Sequence, residues 1–159
     1  MRPEGKNIIK AIKSGLHEKA LQLMIEHDKL LSLREMRKLF NVSIDNGSST
    51  TVEWMLYRSI HRYDIDPSSK DNLAIKKASK YGHTETVKLL LDDNRCDPSA
   101  QDNYAIRWAS RNGHTDTVKL LLNDKRCDPS AEDNYSIKWA SCKGHIEIVK
   151  LLLNDKRCD

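Results

Sequence analysis

Three histidines recur at a fixed spacing, and each stands two residues before a carboxylate. His83, His114 and His145 lie 31 residues apart and open the stretches HTE, HTD and HIE. A zinc deaminase uses an H-x-E pair as metal ligand and proton-transfer group, together with a P-C-x-x-C segment that completes the zinc site. The chain contains no P-C-x-x-C segment, so this chemistry is excluded.

Three cysteines, Cys96, Cys127 and Cys158, follow the same spacing. No pair shows the C-x-x-C or H-x-x-x-H spacing of structural zinc sites. A Cys–His nucleophile needs one assembled constellation, whereas these groups recur at the same place in successive units. A Gly-rich phosphate loop is also missing from the sequence. We therefore predict no catalytic residues, no metal and no cofactor, and we expect each histidine to support the turn between its own two helices.

The same spacing runs through most of the chain when each glycine that ends a helical pattern is taken as a marker. Gly82, Gly113 and Gly144 lie 31 residues apart, and Gly15 and Gly47 fit the same template at spacings of 32 and 35. Apolar or small residues hold fixed positions relative to these glycines. Examples are Ile75, Ile106 and Ile137, then Val87, Val118 and Val149, and then Leu23, Met55, Leu90, Leu121 and Leu152. This predicts a single domain over residues 1–159 with repeats at 1–34 and 38–67, both degenerate, and at 70–99, 101–130 and 132–159.

Each repeat has the pattern of two short helices joined by a turn. Ile106, Ala109 and Gly113 share one face at helical spacing, and Val118, Leu121 and Leu122 share another. Gly113 suits a helix end that needs the left-handed conformation. The Asp-Pro-Ser and Asp-Asn segments predict a connecting turn, and Asn103 is a candidate cap for the helix that follows it. One such pair cannot bury its apolar face alone, so neighbouring repeats must stack.

Periods of 31 to 35 residues fit ankyrin and tetratricopeptide repeats. The stretch ASRNGHTDTVKLLL resembles the ankyrin pattern of small residues, Gly-His, an acid and a Val-x-x-Leu-Leu helix, and the tetratricopeptide pattern is missing. The Asp-Pro-Ser variant is similar to the ankyrin arrays of giant viruses of amoebae. The resemblance implies an all-α solenoid of about five stacked helix-turn-helix repeats. About three residues of the family's hairpin finger are absent, so the fingers should be short.

Basic and aromatic side chains share the non-core side of the first helix in each of the last three repeats. We call these ten positions the basic–aromatic face: Lys76, Lys77, Lys80, Tyr104, Arg107, Trp108, Arg111, Tyr135, Lys138 and Trp139. In ankyrin folds this helix lines the concave surface, so the resemblance implies a binding groove. The column that holds Trp108 and Trp139 also holds Lys77, which favours exposure over burial, since an unpaired lysine is costly in a core. Packing of both tryptophans between repeats is the alternative.

Two classes of partner follow for a non-enzymatic module. The first is a protein with an acidic or amphipathic segment, anchored by Trp and Tyr and steered by Lys and Arg. The second is a nucleic acid that stacks on the same aromatic residues. The chain has 27 basic and 23 acidic residues, a near balance that favours the protein partner. No segment approaches the apolar length of a membrane span. We expect a cytoplasmic protein, in the host cytoplasm if it is viral, and a nuclear location is compatible with the same properties.

The last repeat differs from its neighbours at its second helix. Ile146 and Ile148 stand where the preceding repeat has Thr115 and Thr117. Terminal repeats normally carry a polar outer face. The sequence therefore predicts an incompletely covered C-terminal face and self-association through it.

Overall fold

The computed structural model describes residues 1–61 and 64–158. These residues form ten α-helices and one short 3-10 helix, and they contain no strand. Arg62 and Tyr63, which belong to the second predicted repeat, and Asp159, which ends the fifth, lie outside the described residues. The helices are α1 Pro3–Lys13, α2 His17–Glu26, α3 Leu33–Asp45, α4 Ser49–His61, α5 Ser69–Tyr81, α6 Thr84–Asp92, α7 Ala100–Arg111, α8 Thr115–Asn123, α9 Ala131–Cys142 and α10 Ile146–Leu153, with the 3-10 helix at Asp28–Leu30.

The chain forms two compact units, residues 1–67 and residues 68–159. In unit 1, α1 packs on α2 and α3, and α4 packs on α2 and α3. In unit 2 the pairs α5–α6, α7–α8 and α9–α10 are repeats 3, 4 and 5, and each helix packs on its counterpart in the next repeat. The all-α prediction is confirmed, and the single-domain boundary stays a prediction. In the described part of the chain, no helix has the length and apolar character that crossing a membrane requires.

The apolar columns of the inner repeats form the core of unit 2. Ile75, Ile106, Val87 and Val118 are fully buried, as are Leu90, Leu121 and Leu152. In unit 1 the predicted core residue Leu23 is only half-buried, whereas Met24, which belongs to the adjacent apolar column of the repeats, is fully buried. The side of α2 that carries Leu23 lines an open cavity of about 310 Å³, which explains the difference.

Each glycine that joins the two helices of repeats 3 and 4 is covered by a histidine of the following repeat. Gly82 and Gly113 have φ of +72° and +80°, and a Cβ added at Gly113 would lie 2.6 Å from Cε1 of His145. The Nε2 atom of His114 lies 2.9 Å from the carbonyl oxygen of Lys80, and that of His145 lies 3.2 Å from the carbonyl oxygen of Arg111. The prediction that each histidine supports its own turn is therefore wrong for His114 and His145, because each of these two rings lies on the turn of the preceding repeat.

An arginine after the second helix of each later repeat joins that repeat to the one before it. The Arg126 guanidinium pairs with Asp124 at 2.6 Å. It also donates hydrogen bonds to the carbonyl oxygens of Cys96 at 2.9 Å and Leu91 at 3.4 Å. Arg157 repeats the arrangement, with Asp155 as its partner and the carbonyl oxygens of Cys127 and Leu122 as acceptors. These contacts fix the distance and register between neighbouring repeats.

The first residues of α5, α7 and α9, within the bounds given above, form turns with a left-handed course. Three consecutive residues have positive φ at each turn, namely residues 70–72, 101–103 and 132–134. In the Asp-Pro-Ser segment that precedes them, the amide and hydroxyl of Ser130 donate to Asp128 at 2.9 and 2.7 Å. The Asn103 side chain does not cap its own helix, since its oxygen accepts a hydrogen bond from the Asp128 amide of the next repeat at 2.7 Å. The turn thus replaces the missing finger and bonds to the neighbouring repeat.

The left-handed turns predict an unusual effect of glycine. Gln101 is exposed and has φ of +53°, a region that costs side-chain-bearing residues roughly 1–2 kcal/mol and glycine much less. We expect Gln101→Gly to raise the free energy of unfolding by about 1 kcal/mol. Lys88→Gly, at an exposed position of the right-handed helix α6, should lower it by about the same amount. Urea denaturation checks both variants, and destabilisation by Gln101→Gly would contradict the left-handed geometry.

Candidate functional site

The basic–aromatic face lies on α5, α7 and α9, all within unit 2. The inter-repeat contacts of the histidines and arginines set these three helices side by side. Lys138 is exposed, and eight of the ten positions are half-buried: Lys77, Lys80, Tyr104, Arg107, Trp108, Arg111, Tyr135 and Trp139. Nine of the ten predicted residues are therefore at least partly accessible to solvent.

Lys76 is the exception, and the prediction of an exposed side chain is wrong for it. The Lys76 side chain is only 7% exposed, and its ammonium lies 3.2 Å from the Asp71 carboxylate. The same ammonium lies 6.0 Å from the centre of the Tyr104 ring. Because burial of a lysine requires a paired charge, this residue connects the left-handed turn to the next repeat and does not face a partner.

Cations and aromatic rings alternate along the middle of the face. The Lys80 ammonium lies 5.2 Å from the centre of the Trp108 ring, and the Arg111 guanidinium lies 4.7 Å from the same ring. Arg111 also lies 4.2 Å from the Trp139 ring, so one guanidinium contacts both tryptophans. These separations fall within the range of cation–π attraction. The result is a ladder across three repeats, Lys80–Trp108–Arg111–Trp139.

The tyrosines form a second, parallel set of contacts. Arg107 lies 5.1 Å from the centre of the Tyr135 ring, and the Tyr135 hydroxyl accepts a hydrogen bond from Arg111 at 2.8 Å. Tyr104 stacks on Trp108, with 5.3 Å between the ring centres. In both sets a cation of one repeat lies on an aromatic ring of the following repeat. These contacts therefore all run in the same direction along the repeats, and they hold the side chains of the face in place.

Both sequence interpretations of the tryptophans describe part of this arrangement. Trp108 contacts the preceding repeat through Lys80 of α5, and Arg111 of its own helix lies on the same ring. Trp108 is also half-buried, so part of its side chain reaches the surface. Cation–π contact does not neutralise the cation, so the face keeps the positive field of Lys77, Lys80, Arg107, Arg111 and Lys138. Its chemistry is that of a rigid, positively charged surface with aromatic edges.

The recurring thiols lie away from this face, among the buried contacts of the arginine loops. Cys96 and Cys127 are buried, and burial raises the pKa of the Cys127 thiol to about 12. A thiol of this kind carries no nucleophilic thiolate near neutral pH. Within residues 1–61 and 64–158, no group of three or more His, Cys, Asp or Glu side chains has the geometry to hold a metal ion.

Two sets of residues that shape the face were missed by sequence reasoning. The D-x-R-C motif at Asp93, Asp124 and Asp155 recurs in the last three repeats and was a readable signal for the arginine contacts. Asp71, the partner that makes the burial of Lys76 possible, carried no such signal. An acid recurs at this turn position as Asp102 and Asp133, so the sequence does not distinguish Asp71 from its counterparts.

Comparison with known proteins identifies repeats in the same part of the chain where the structure shows helix pairs. A search of curated proteins found no match to the chain. A family model described as ankyrin repeats in three copies matches residues 39–133 and residues 75–159. Likeness to the arrays of giant viruses stays a prediction. The two matches together span residues 39–159, more than half of the sequence, and the chain belongs to the ankyrin repeat family.

Proposed function

We propose that the basic–aromatic face binds an acidic segment of another protein. Ankyrin repeats generally mediate protein–protein interaction. The observation that carries the proposal is the Lys80–Trp108–Arg111–Trp139 ladder, in which Arg111 lies 4.2 Å from the Trp139 ring and 4.7 Å from the Trp108 ring. A cation that is held against a ring loses little side-chain entropy on binding, so it is prepared to receive a carboxylate.

The chemistry of the ladder favours an amphipathic acidic segment. Carboxylates of the segment would meet Lys80 on α5 and Arg107 and Arg111 on α7, each of which contacts an aromatic ring of the face. Aliphatic side chains would contact the exposed edges of Trp108 and Trp139. Charge pairing of this kind mainly raises the association rate and selects against basic partners, while the aromatic edges contribute most of the affinity.

A nucleic acid is the second candidate, because a row of Lys and Arg also attracts phosphates. Stacking of bases needs open aromatic faces. Lys80, Arg111 and Tyr104 all lie against the Trp108 ring, so a base would have to displace one of them. This geometry favours the acidic protein segment.

Selection from a random peptide display library tests the proposal, because it samples acidic, basic and apolar segments in one experiment. We expect enrichment of peptides that combine Asp or Glu with aliphatic residues. Binding of the selected peptides should weaken by about tenfold or more in the double variant Lys80→Ala with Arg111→Ala, since two charge-assisted contacts are lost.

The matched control removes two charges elsewhere. Lys88 and Lys125 are exposed and lie outside the basic–aromatic face, so Lys88→Ala with Lys125→Ala changes net charge equally and should preserve binding. Selection of peptides without acidic residues, or equal loss of binding in both double variants, would contradict the proposal. Tight, steeply salt-dependent binding of single-stranded nucleic acid at the same face would favour the second candidate.

A further inference from the structure

Three large hydrophobic side chains are exposed among the described residues of unit 2, namely Tyr81, Ile146 and Leu153. Ile146 and Leu153 lie on α10, where the sequence predicts incomplete coverage. Ile148 was expected to be uncovered there too, but it is fully buried, because its side of α10 faces the core. Self-association through this end stays a prediction. Tyr81 lies elsewhere, as the last residue of α5, the helix that carries the repeat-3 part of the basic–aromatic face.

Tyr81 extends the ladder by one aromatic ring. The Lys80 ammonium lies 5.6 Å from the centre of the Tyr81 ring and 5.2 Å from the centre of the Trp108 ring. Arg111 has the same relation to the next two rings, at 4.7 Å from Trp108 and 4.2 Å from Trp139. Each of the two cations therefore contacts two aromatic rings, and the first ring of the series belongs to Tyr81.

Repeat 3 carries its aromatic ring at a different position from repeats 4 and 5. The position of Trp108 is held in repeat 3 by Lys77. The position of Tyr81 is held in repeats 4 and 5 by Asn112 and Lys143. Because no column of aromatic residues passes through Tyr81, periodicity did not identify it as part of the face.

The segment that carries Tyr81 is held in place by its neighbours. The carbonyl oxygen of Lys80 accepts a hydrogen bond from the Asn112 side-chain amide at 2.8 Å, and it lies 2.9 Å from Nε2 of His114. The centre of the Tyr81 ring lies 6.0 Å from that of the His83 ring. An aromatic side chain with fixed surroundings loses little conformational entropy when a partner binds to it.

The two ends of the extended ladder offer different chemistry. Tyr81 is 49% exposed, whereas the other four aromatic residues of unit 2 are half-buried. At the repeat-5 end the position of Tyr81 is held by Lys143, which is exposed, as is Lys138. An accessible tyrosine ring suits an apolar side chain, and exposed ammonium groups suit carboxylates.

We propose that Tyr81 is a further binding residue, which contacts an apolar side chain of the partner segment and thereby fixes the orientation of the segment along the repeats. The inference rests on the proposed function and adds its specificity. The segment carries an aliphatic or aromatic residue at its repeat-3 end and carboxylates from there toward repeat 5. Because the Lys80 ammonium lies 5.6 Å from the Tyr81 ring centre, the apolar residue and the first carboxylate stand within about three residues of each other.

The peptides selected from the display library by the parent chain test the orientation. We expect the aligned peptides to carry their apolar residue on one constant side of their acidic residues. Equal numbers of peptides with the apolar residue on either side would overturn the inference and leave the proposed function standing. Selection of peptides without acidic residues would overturn both.

Titration of the tightest selected peptide, synthesised with a fluorescent label, measures the contact itself. Tyr81→Ala should weaken binding by about fivefold, because the apolar contact is lost, and Tyr81→Phe should keep the parent affinity, because the ring remains. Tyr57→Ala is the matched control, since it removes an exposed tyrosine of α4 in unit 1, and it should leave the affinity unchanged. Parent affinity in Tyr81→Ala, or an equal loss in Tyr57→Ala, would overturn the inference.

A double-mutant cycle distinguishes direct contact from an effect that Tyr81 exerts through Lys80. Alanine in place of the apolar residue of the peptide should weaken binding to the parent chain by about fivefold and binding to Tyr81→Ala by much less. Alanine in place of the acidic residues should weaken binding to both chains by the same factor. Coupling of Tyr81 to the acidic residues, with none to the apolar residue, would show that Tyr81 only orients Lys80 and would overturn the proposal.

Discussion

Gly113→Ala is expected to lower the free energy of unfolding by about 3 kcal/mol, whereas Gly144→Ala should lower it by about 1 kcal/mol. Both glycines have positive φ, +80° and +74°. They differ in surroundings, because a Cβ at Gly113 would lie 2.6 Å from Cε1 and 2.9 Å from Nδ1 of His145, and a Cβ at Gly144 would meet nothing within 4 Å. The difference between the two variants therefore measures the histidine contact alone.

A double-mutant cycle checks the origin of the Gly113 effect. In a His145→Ala background the added methyl group has room, so Gly113→Ala should cost only the conformational term of about 1 kcal/mol. Urea denaturation of the four chains gives the coupling energy. Full additivity of the two substitutions would show that the imidazole does not lie on the glycine.

Arg126→Ala is expected to lower the free energy of unfolding by about 2 kcal/mol, since it removes a paired charge and two hydrogen bonds to another repeat. Arg126 donates to Asp124 at 2.6 Å and to the carbonyl oxygens of Cys96 and Leu91 at 2.9 and 3.4 Å. Arg126→Lys should recover only part of the loss, because one ammonium cannot reach all three acceptors as the planar guanidinium does. Chemical denaturation of both variants measures the effect.

The neighbouring residue provides the control, and acid provides a second test. Lys125 is exposed, so Lys125→Ala should change stability by less than about 0.5 kcal/mol.

The Arg126 hydrogen bonds lower the pKa of Asp124 below the usual range. A carboxyl group whose pKa is lower in the folded state than in the unfolded state stabilises the fold when the pH is above its unfolded-state pKa. That stabilisation is lost as the pH falls through the folded-state pKa. The difference in free energy of unfolding between the parent chain and Arg126→Ala should therefore become smaller in acid. A difference that becomes larger would contradict the contact.

Much of the scaffold could be predicted from the sequence because its columns are apolar and regularly spaced. Ile106, Val118 and Leu121 are buried as their spacing predicts, and Gly113 takes the left-handed conformation expected of a helix end. The prediction that Leu23 is buried in the core is wrong for a physical reason. This column faces the preceding repeat, and in the first repeat that side is an open cavity.

The site was harder to predict than the scaffold, since its details depend on contacts between repeats. Spacing placed Arg111 on the same face as Trp108 and Trp139, and the structure shows that it contacts both rings. Nothing in the local sequence around Lys76 indicated burial, which arises only where Asp71 and Tyr104 meet it in space. Periodicity identifies a face, but it does not say which neighbour each side chain reaches.

The central claim is that the recurring histidines hold successive repeats together and do not gather into one chemical site. Nuclear Overhauser contacts between the glycine α-protons and the histidine ring protons test this most directly. We predict cross-peaks from Gly82 to the His114 ring and from Gly113 to the His145 ring, with none from Gly144 to a histidine other than its sequence neighbour His145. Cross-peaks among the histidine rings themselves, with no contact to either glycine, would contradict the claim.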